Sequence, residues 1–67
     1  MFKANLFKAK LVEKEVSISQ LAIIIGRNEA TVYRKMLGES DFTRNEMQLI
    51  KDSLHLTYEE METIFFA

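Results

Sequence analysis

The stretch Ser17-Ile18-Ser19-Gln20-Leu21-Ala22-Ile23-Ile24-Ile25-Gly26-Arg27-Asn28-Glu29-Ala30-Thr31-Val32-Tyr33-Arg34-Lys35-Met36-Leu37-Gly38 decides the reading of this chain. Ser17 stands three positions before Gln20, the spacing at which two side chains satisfy each other's exposed backbone donors at a helix start. Val16 before the cap and Leu21 four residues into the helix supply the apolar staple that fixes the entry of the chain. Gly26 and Gly38 can close helices in a left-handed conformation that costs glycine almost nothing, and Asn28 is a good cap for the helix between them. Two short helices separated by three residues follow, with Ala22 small enough for close crossing and Val32 apolar enough to lock the second helix on the first.

The same capping logic divides the rest of the chain, which has no Pro and only two Gly. Thr43 with Glu46 and Thr57 with Glu60 repeat the capping box, and Phe42 with Met47 and Leu56 with Met61 repeat the staple. Helices are expected over roughly residues 3–14, 18–25, 29–37, 44–54 and 58–65. The β-branched run Ile23 to Ile25 falls inside a capped helical segment, so no strand is expected. Phe2, Leu6, Phe7 and Leu11 in the first helix, Met47, Leu49, Ile50 and Leu54 in the fourth, and Met61, Ile64 and Phe65 in the fifth recur at helical spacing and are expected in the core. Phe66 lies beside that row, free to face a neighbouring helix or a second copy of the chain.

With 67 residues, 48 % of them hydrophobic and 28 % charged, the chain has the composition of one small globular domain spanning residues 1–67. It has no Cys and a single His, which excludes a disulfide framework and leaves no donor set for a structural zinc. Neither a cofactor nor a metal is expected. Catalysis is not expected either, since there is no glycine-rich phosphate loop and no convergent set of titratable groups. His55, at the end of the fourth helix, reads as a partner for the helix dipole. No apolar run approaches the roughly 20 residues that span a bilayer, and without a secretory leader pattern the expected location is the cytoplasm. The net charge is −1, yet residues 1–35 hold seven Lys and Arg against three acids while residues 36–67 hold two against seven. Such a split suits a molecule with one face toward nucleic acid.

The segment from Leu21 to Gly26, the segment from Ala30 to Gly38, the run Phe42-Thr43-Arg44-Asn45-Glu46-Met47 and the closing Ile64-Phe65-Phe66 together resemble the Cro and repressor (XRE) family of helix-turn-helix proteins. The chain is similar to short Cro-like phage regulators of low-GC Gram-positive bacteria. The resemblance implies an all-α, five-helix, lambda-repressor-like bundle with the helix-turn-helix at helices two and three. Ile18, Arg27 and Lys35 depart from the family pattern: the first stands where many members have a phosphate-contacting Gln, the others at positions more usually apolar, with Met36 able to supply the apolar contact beyond Val32.

The resemblance implies that the second helix of the motif enters the major groove of a double-stranded DNA operator and reads base edges with Asn28, Glu29, Ala30, Tyr33 and Arg34. Arg34 suits guanine, Glu29 cytosine N4 and Ala30 a thymine methyl, each good bidentate pair being worth about 1–3 kcal/mol of discrimination. Phosphates are expected at Ser17, Ser19, Arg27, Thr31, Lys35 and Arg44. One recognition helix seldom gives enough affinity, so a homodimer joined through the Phe65 and Phe66 region is expected, acting as a transcriptional repressor. The competing expectation is a protein-binding module that uses Ile23, Ile24 and the Phe65–Phe66 end and never touches DNA.

Overall fold

The computed structural model describes residues 1–67 and contains five α-helices and no strand: α1 Ala4–Glu13, α2 Ile18–Ile25, α3 Glu29–Met36, α4 Arg44–Leu54 and α5 Tyr58–Phe65. All three capping boxes form. The Ser17, Thr43 and Thr57 hydroxyls accept from the backbone N–H of Gln20, Glu46 and Glu60, whose side chains accept from the N–H of each cap residue in return. Asn28 caps α3 by accepting from the Thr31 N–H at 2.8 Å. Each hydroxyl cap of this kind contributes roughly 1 kcal/mol.

Helix ends are built as uniformly as the starts. After α2, Gly26 takes φ +72°, and the Arg27 N–H donates to the Ala22 carbonyl. After α3, Gly38 takes φ +83°, and the Glu39 N–H donates to the Arg34 carbonyl. Glu15 and His55 adopt the same left-handed conformation after α1 and α4, at φ +57° and +54°, without being glycine. In those two turns the next residue, Val16 or Leu56, donates back to Leu11 or Lys51. Its side chain packs on the core. Burial of that apolar residue offsets the backbone cost, as expected of a turn whose hydrophobic contact closes over the helix end.

α2 packs on α3 and α4, and α1 packs on α5. Phe7, Leu21, Ile50, Leu54 and Val32 are the largest fully buried side chains. At one end of the bundle Phe2, Phe7, Phe42 and Phe65 form a tetrad in which every pair of ring centroids lies 5.4–5.8 Å apart. This arrangement joins the chain start, α1, the α3–α4 loop and α5, with edge-to-face and tilted geometries that favour aromatic rings. The Lys3 N–H donates to the Ile64 carbonyl at 2.7 Å beside it, so the two ends of the chain meet.

One expectation about the core and one about the expected dimer contact are corrected. Leu6 is 43 % exposed, because Phe7 and Leu11, one turn apart, set the buried stripe of α1 and leave Leu6 to one side. Phe65 lies in the core as expected, 8 % exposed within the tetrad, so it is not free for the contact between copies expected of Phe65 and Phe66, and of the two only Phe66 faces outward. No helix is long and apolar enough to cross a membrane.

Candidate nucleic-acid interface

Helix α3 is fixed from within by Val32, Lys35 and Met36, all buried. With that side inward, Asn28, Glu29, Ala30, Tyr33 and Arg34 are all exposed, and Thr31 is half-buried. The five residues expected to read bases therefore share the outer surface of α3 and its N-terminus. Several are already engaged with neighbours. The Asn28 carbonyl oxygen is used in capping, which leaves its NH2 outward. The Ser19 hydroxyl donates to a Glu29 carboxylate oxygen at 2.7 Å, bridging the first turns of α2 and α3. Arg34 donates to the Thr31 hydroxyl at 3.2 Å and takes part in no ion pair.

Among the residues expected at phosphates, Ser17 and Ser19 are exposed at the start of α2, where free backbone N–H groups also point outward. Lys35 is corrected. Only 6 % exposed, it runs its stem into the core and places its ammonium 3.1 Å from Glu46 Oε1 and 2.8 Å from the Asp41 carbonyl oxygen, over the Phe42 ring. A lysine can occupy an apolar position in this way because its stem is hydrocarbon and its charge is compensated at the end. It cannot also reach a phosphate. Arg27, half-exposed in the α2–α3 turn, donates from Nε to Glu46 Oε2 at 2.8 Å. Arg44 lines a cleft with Gln48, Lys51, Tyr58 and Phe66 across α4 and α5.

Glu46 thus carries two roles: its Oε1 also accepts from the Thr43 N–H at 2.9 Å to complete the α4 cap. Burial pushes the Glu46 carboxyl up, but the Thr43 N–H, Arg27 and Lys35 together outweigh it and hold the pKa below the ordinary carboxylate value. Elsewhere Lys10 pairs with Glu60 at 2.6 Å and with Glu13 at 3.1 Å. The charge split between the chain halves is consequently reduced on folding, because Lys10, Arg27 and Lys35 of the basic half all close on acids.

One residue beside the site was missed from sequence. Lys8 of α1 lines a cleft of about 280 Å³ with Ile18, Tyr33, Met36 and Leu37, which brings it next to α3. Its stretch reads only as a solvated helix face, since the neighbour that gives it meaning lies 25 residues away in Tyr33. Compared with protein-family models, with curated proteins and with solved structures, the chain matches none.

Proposed function

We propose that this protein is a sequence-specific double-stranded DNA-binding regulator of Cro type that reads the major groove with α3. The observation that carries the reading is the division of α3 into two sides. Val32, Lys35 and Met36 are buried, whereas Glu29, Ala30, Tyr33 and Arg34 are exposed on a helix capped by Asn28 and reached through the left-handed Gly26. A short helix held by one side, with base-edge chemistry on the other, is the layout of a helix-turn-helix reader. Arg34 offers the guanidinium fork for guanine, Ala30 apolar contact for a thymine methyl, and Glu29 an acceptor for cytosine N4. On this reading Ser17, Ser19 and the α2 N-terminus hold the flanking phosphate, joined by Lys8. Two copies on a short palindrome, meeting through Phe66, give the protein its operator.

The test is selection from a randomised duplex pool, followed by titration of wild type, Arg34→Ala and Tyr33→Ala at several salt concentrations. A palindromic site, with affinity for it reduced roughly tenfold or more in Arg34→Ala, is expected from the loss of one bidentate contact per protomer. Of the residues on which the protein-binding alternative draws, Ile23 and Phe66 are exposed, while Ile24 is half-buried and Phe65 buried. Failure of the folded protein to retain any duplex at low salt would favour it, because an apolar interface is nearly indifferent to ionic strength whereas phosphate contacts are not.

A further inference from the structure

Lys35 and Glu46 are the only buried charged residues in the molecule, and they are bonded to each other. Three segments meet at the Glu46 carboxylate: Arg27 from the α2–α3 turn, Lys35 from α3 and the Thr43 N–H at the start of α4, while Lys35 also ties in the Asp41 carbonyl of the α3–α4 loop. No buried polar side-chain atom is left without a partner. We propose that this Arg27–Glu46–Lys35 triad is the positioning element of the recognition surface: it sets how α3 lies against α2 and α4, and its removal loosens α3 while the rest of the bundle stays folded. The role in recognition rests on the DNA-binding reading given above; the role in holding α3 does not.

Apolar packing and ion pairs constrain a helix in different ways. Val32 and Met36 hold α3 by packing that names no particular partner atom, so a different packing of similar volume can serve nearly as well. A buried ammonium and carboxylate allow no such latitude, since each must keep its hydrogen-bond partners or face an uncompensated charge away from water. A buried pair is therefore weak evidence for added stability, and its use here is to fix geometry. Its placement fits that use, because the triad lies on the inner side of α3 and immediately before it, whereas Tyr33 and Arg34 point outward from the same two turns. Bases are discriminated by bidentate geometry that fails on displacements of about an ångström.

The experiment measures amide hydrogen exchange residue by residue in the whole chain for wild type, Glu46→Gln and Lys35→Met, with Glu60→Gln as control, and titrates each with the duplex recovered by wild type from a randomised pool. Glu46→Gln keeps an acceptor for the Thr43 N–H and removes the charge. Lys35→Met keeps the Arg27 and Thr43 bonds to Glu46 and removes only the arm from α3, so it stands in should the first variant fail to fold. The expected result is exchange of the Val32 to Met36 amides accelerated at least about tenfold more than that of Phe7, Leu11 and Ile64, with duplex affinity lowered roughly tenfold. Glu60→Gln should leave the α3 amides and the affinity as in wild type. Uniform acceleration across all helices, no acceleration, or unfolding of both variants overturns the proposal, each meaning that the triad does not act on α3 in particular. If wild type retains no duplex, the DNA-binding reading fails, and the exchange pattern alone decides the positioning role.

Discussion

Four residues in the left-handed conformation end the first four helices, and only two of them are glycine. Gly26 and Gly38 are followed by Arg27 and Glu39, which have no apolar side chain to fold back, so these turns rely on glycine's freedom. Glu15 and His55 are followed by Val16 and Leu56, whose packing on the core drives the turn despite a cost of roughly 1–2 kcal/mol for a residue with a Cβ. His55→Gly should therefore stabilise the protein, by about 0.5–1 kcal/mol once the greater entropy of glycine in the unfolded chain is subtracted. Gly26→Ala should destabilise it by roughly 1 kcal/mol, and purely through backbone conformation, because a Cβ there meets nothing within 4 Å. Thermal unfolding checks both: in a domain of this size 1 kcal/mol moves the midpoint by about 4–8 °C. Equal effects of the two substitutions in the same direction would refute the account. The two glycine turns were legible in the sequence because composition marks them. Those at Glu15 and His55 were not, since nothing about a glutamate or a histidine announces positive φ until the burial of its neighbour is known.

The connections repeat a pattern at the level of elements. Glu15-Val16-Ser17 and His55-Leu56-Thr57 each place a left-handed residue, an apolar residue that packs on the core, and a hydroxyl cap in succession, so Val16 and Leu56 close one helix and staple the next. Capping chemistry is local, which is why all three boxes could be read from the sequence with their partners. The use of Glu60 could not: besides capping α5, it binds Lys10 of α1 across the bundle. Lys10 and the Thr57 N–H together bring the Glu60 carboxyl down to about 2. A carboxylate whose pKa falls on folding adds stability that is complete above its unfolded value, near 4.3, and is lost as the pH drops toward 2. Glu60→Gln keeps the cap acceptor but cannot titrate, so its unfolding midpoint in urea should vary less between pH 5 and pH 2 than that of wild type. The remaining acid sensitivity should come from Glu46, whose pKa is lowered as well. Identical pH profiles for the two proteins would show that the Lys10–Glu60 bond contributes nothing in solution.

Taken whole, the molecule measures 27 × 23 × 21 Å, less than one turn of B-form DNA at about 34 Å, so on the proposed reading one protomer covers a half-site at most. Its electrostatic grip is also limited. Of nine Lys and Arg residues, Lys10, Arg27 and Lys35 are spent on internal ion pairs. Of the cations in no ion pair, Arg34 lies on the outer surface of α3 and Lys8 next to that helix. The helices that build this surface were legible from capping and periodicity, whereas the inward turn of Lys35 and the approach of Lys8 depend on contacts between distant segments that no local pattern records. With so few charges per protomer, useful affinity on the proposed reading requires two protomers bound together. Phe66, 62 % exposed beside Tyr58, offers the contact. Phe66→Ser should change folding stability by no more than about 0.5 kcal/mol, as expected of an exposed position, yet it should abolish dimers in sedimentation equilibrium. On the selected duplex the same variant should show the salt dependence of a single protomer. Each phosphate neutralised contributes about −0.9 to the slope of log affinity against log salt, so losing one protomer halves the slope, and Lys8→Ala in the dimer should lower its magnitude by about two, one for each copy. If Phe66→Ser leaves both the mass and the slope unchanged, Phe66 makes no contact between protomers; if Lys8→Ala leaves the slope intact, Lys8 does not touch the backbone of the duplex.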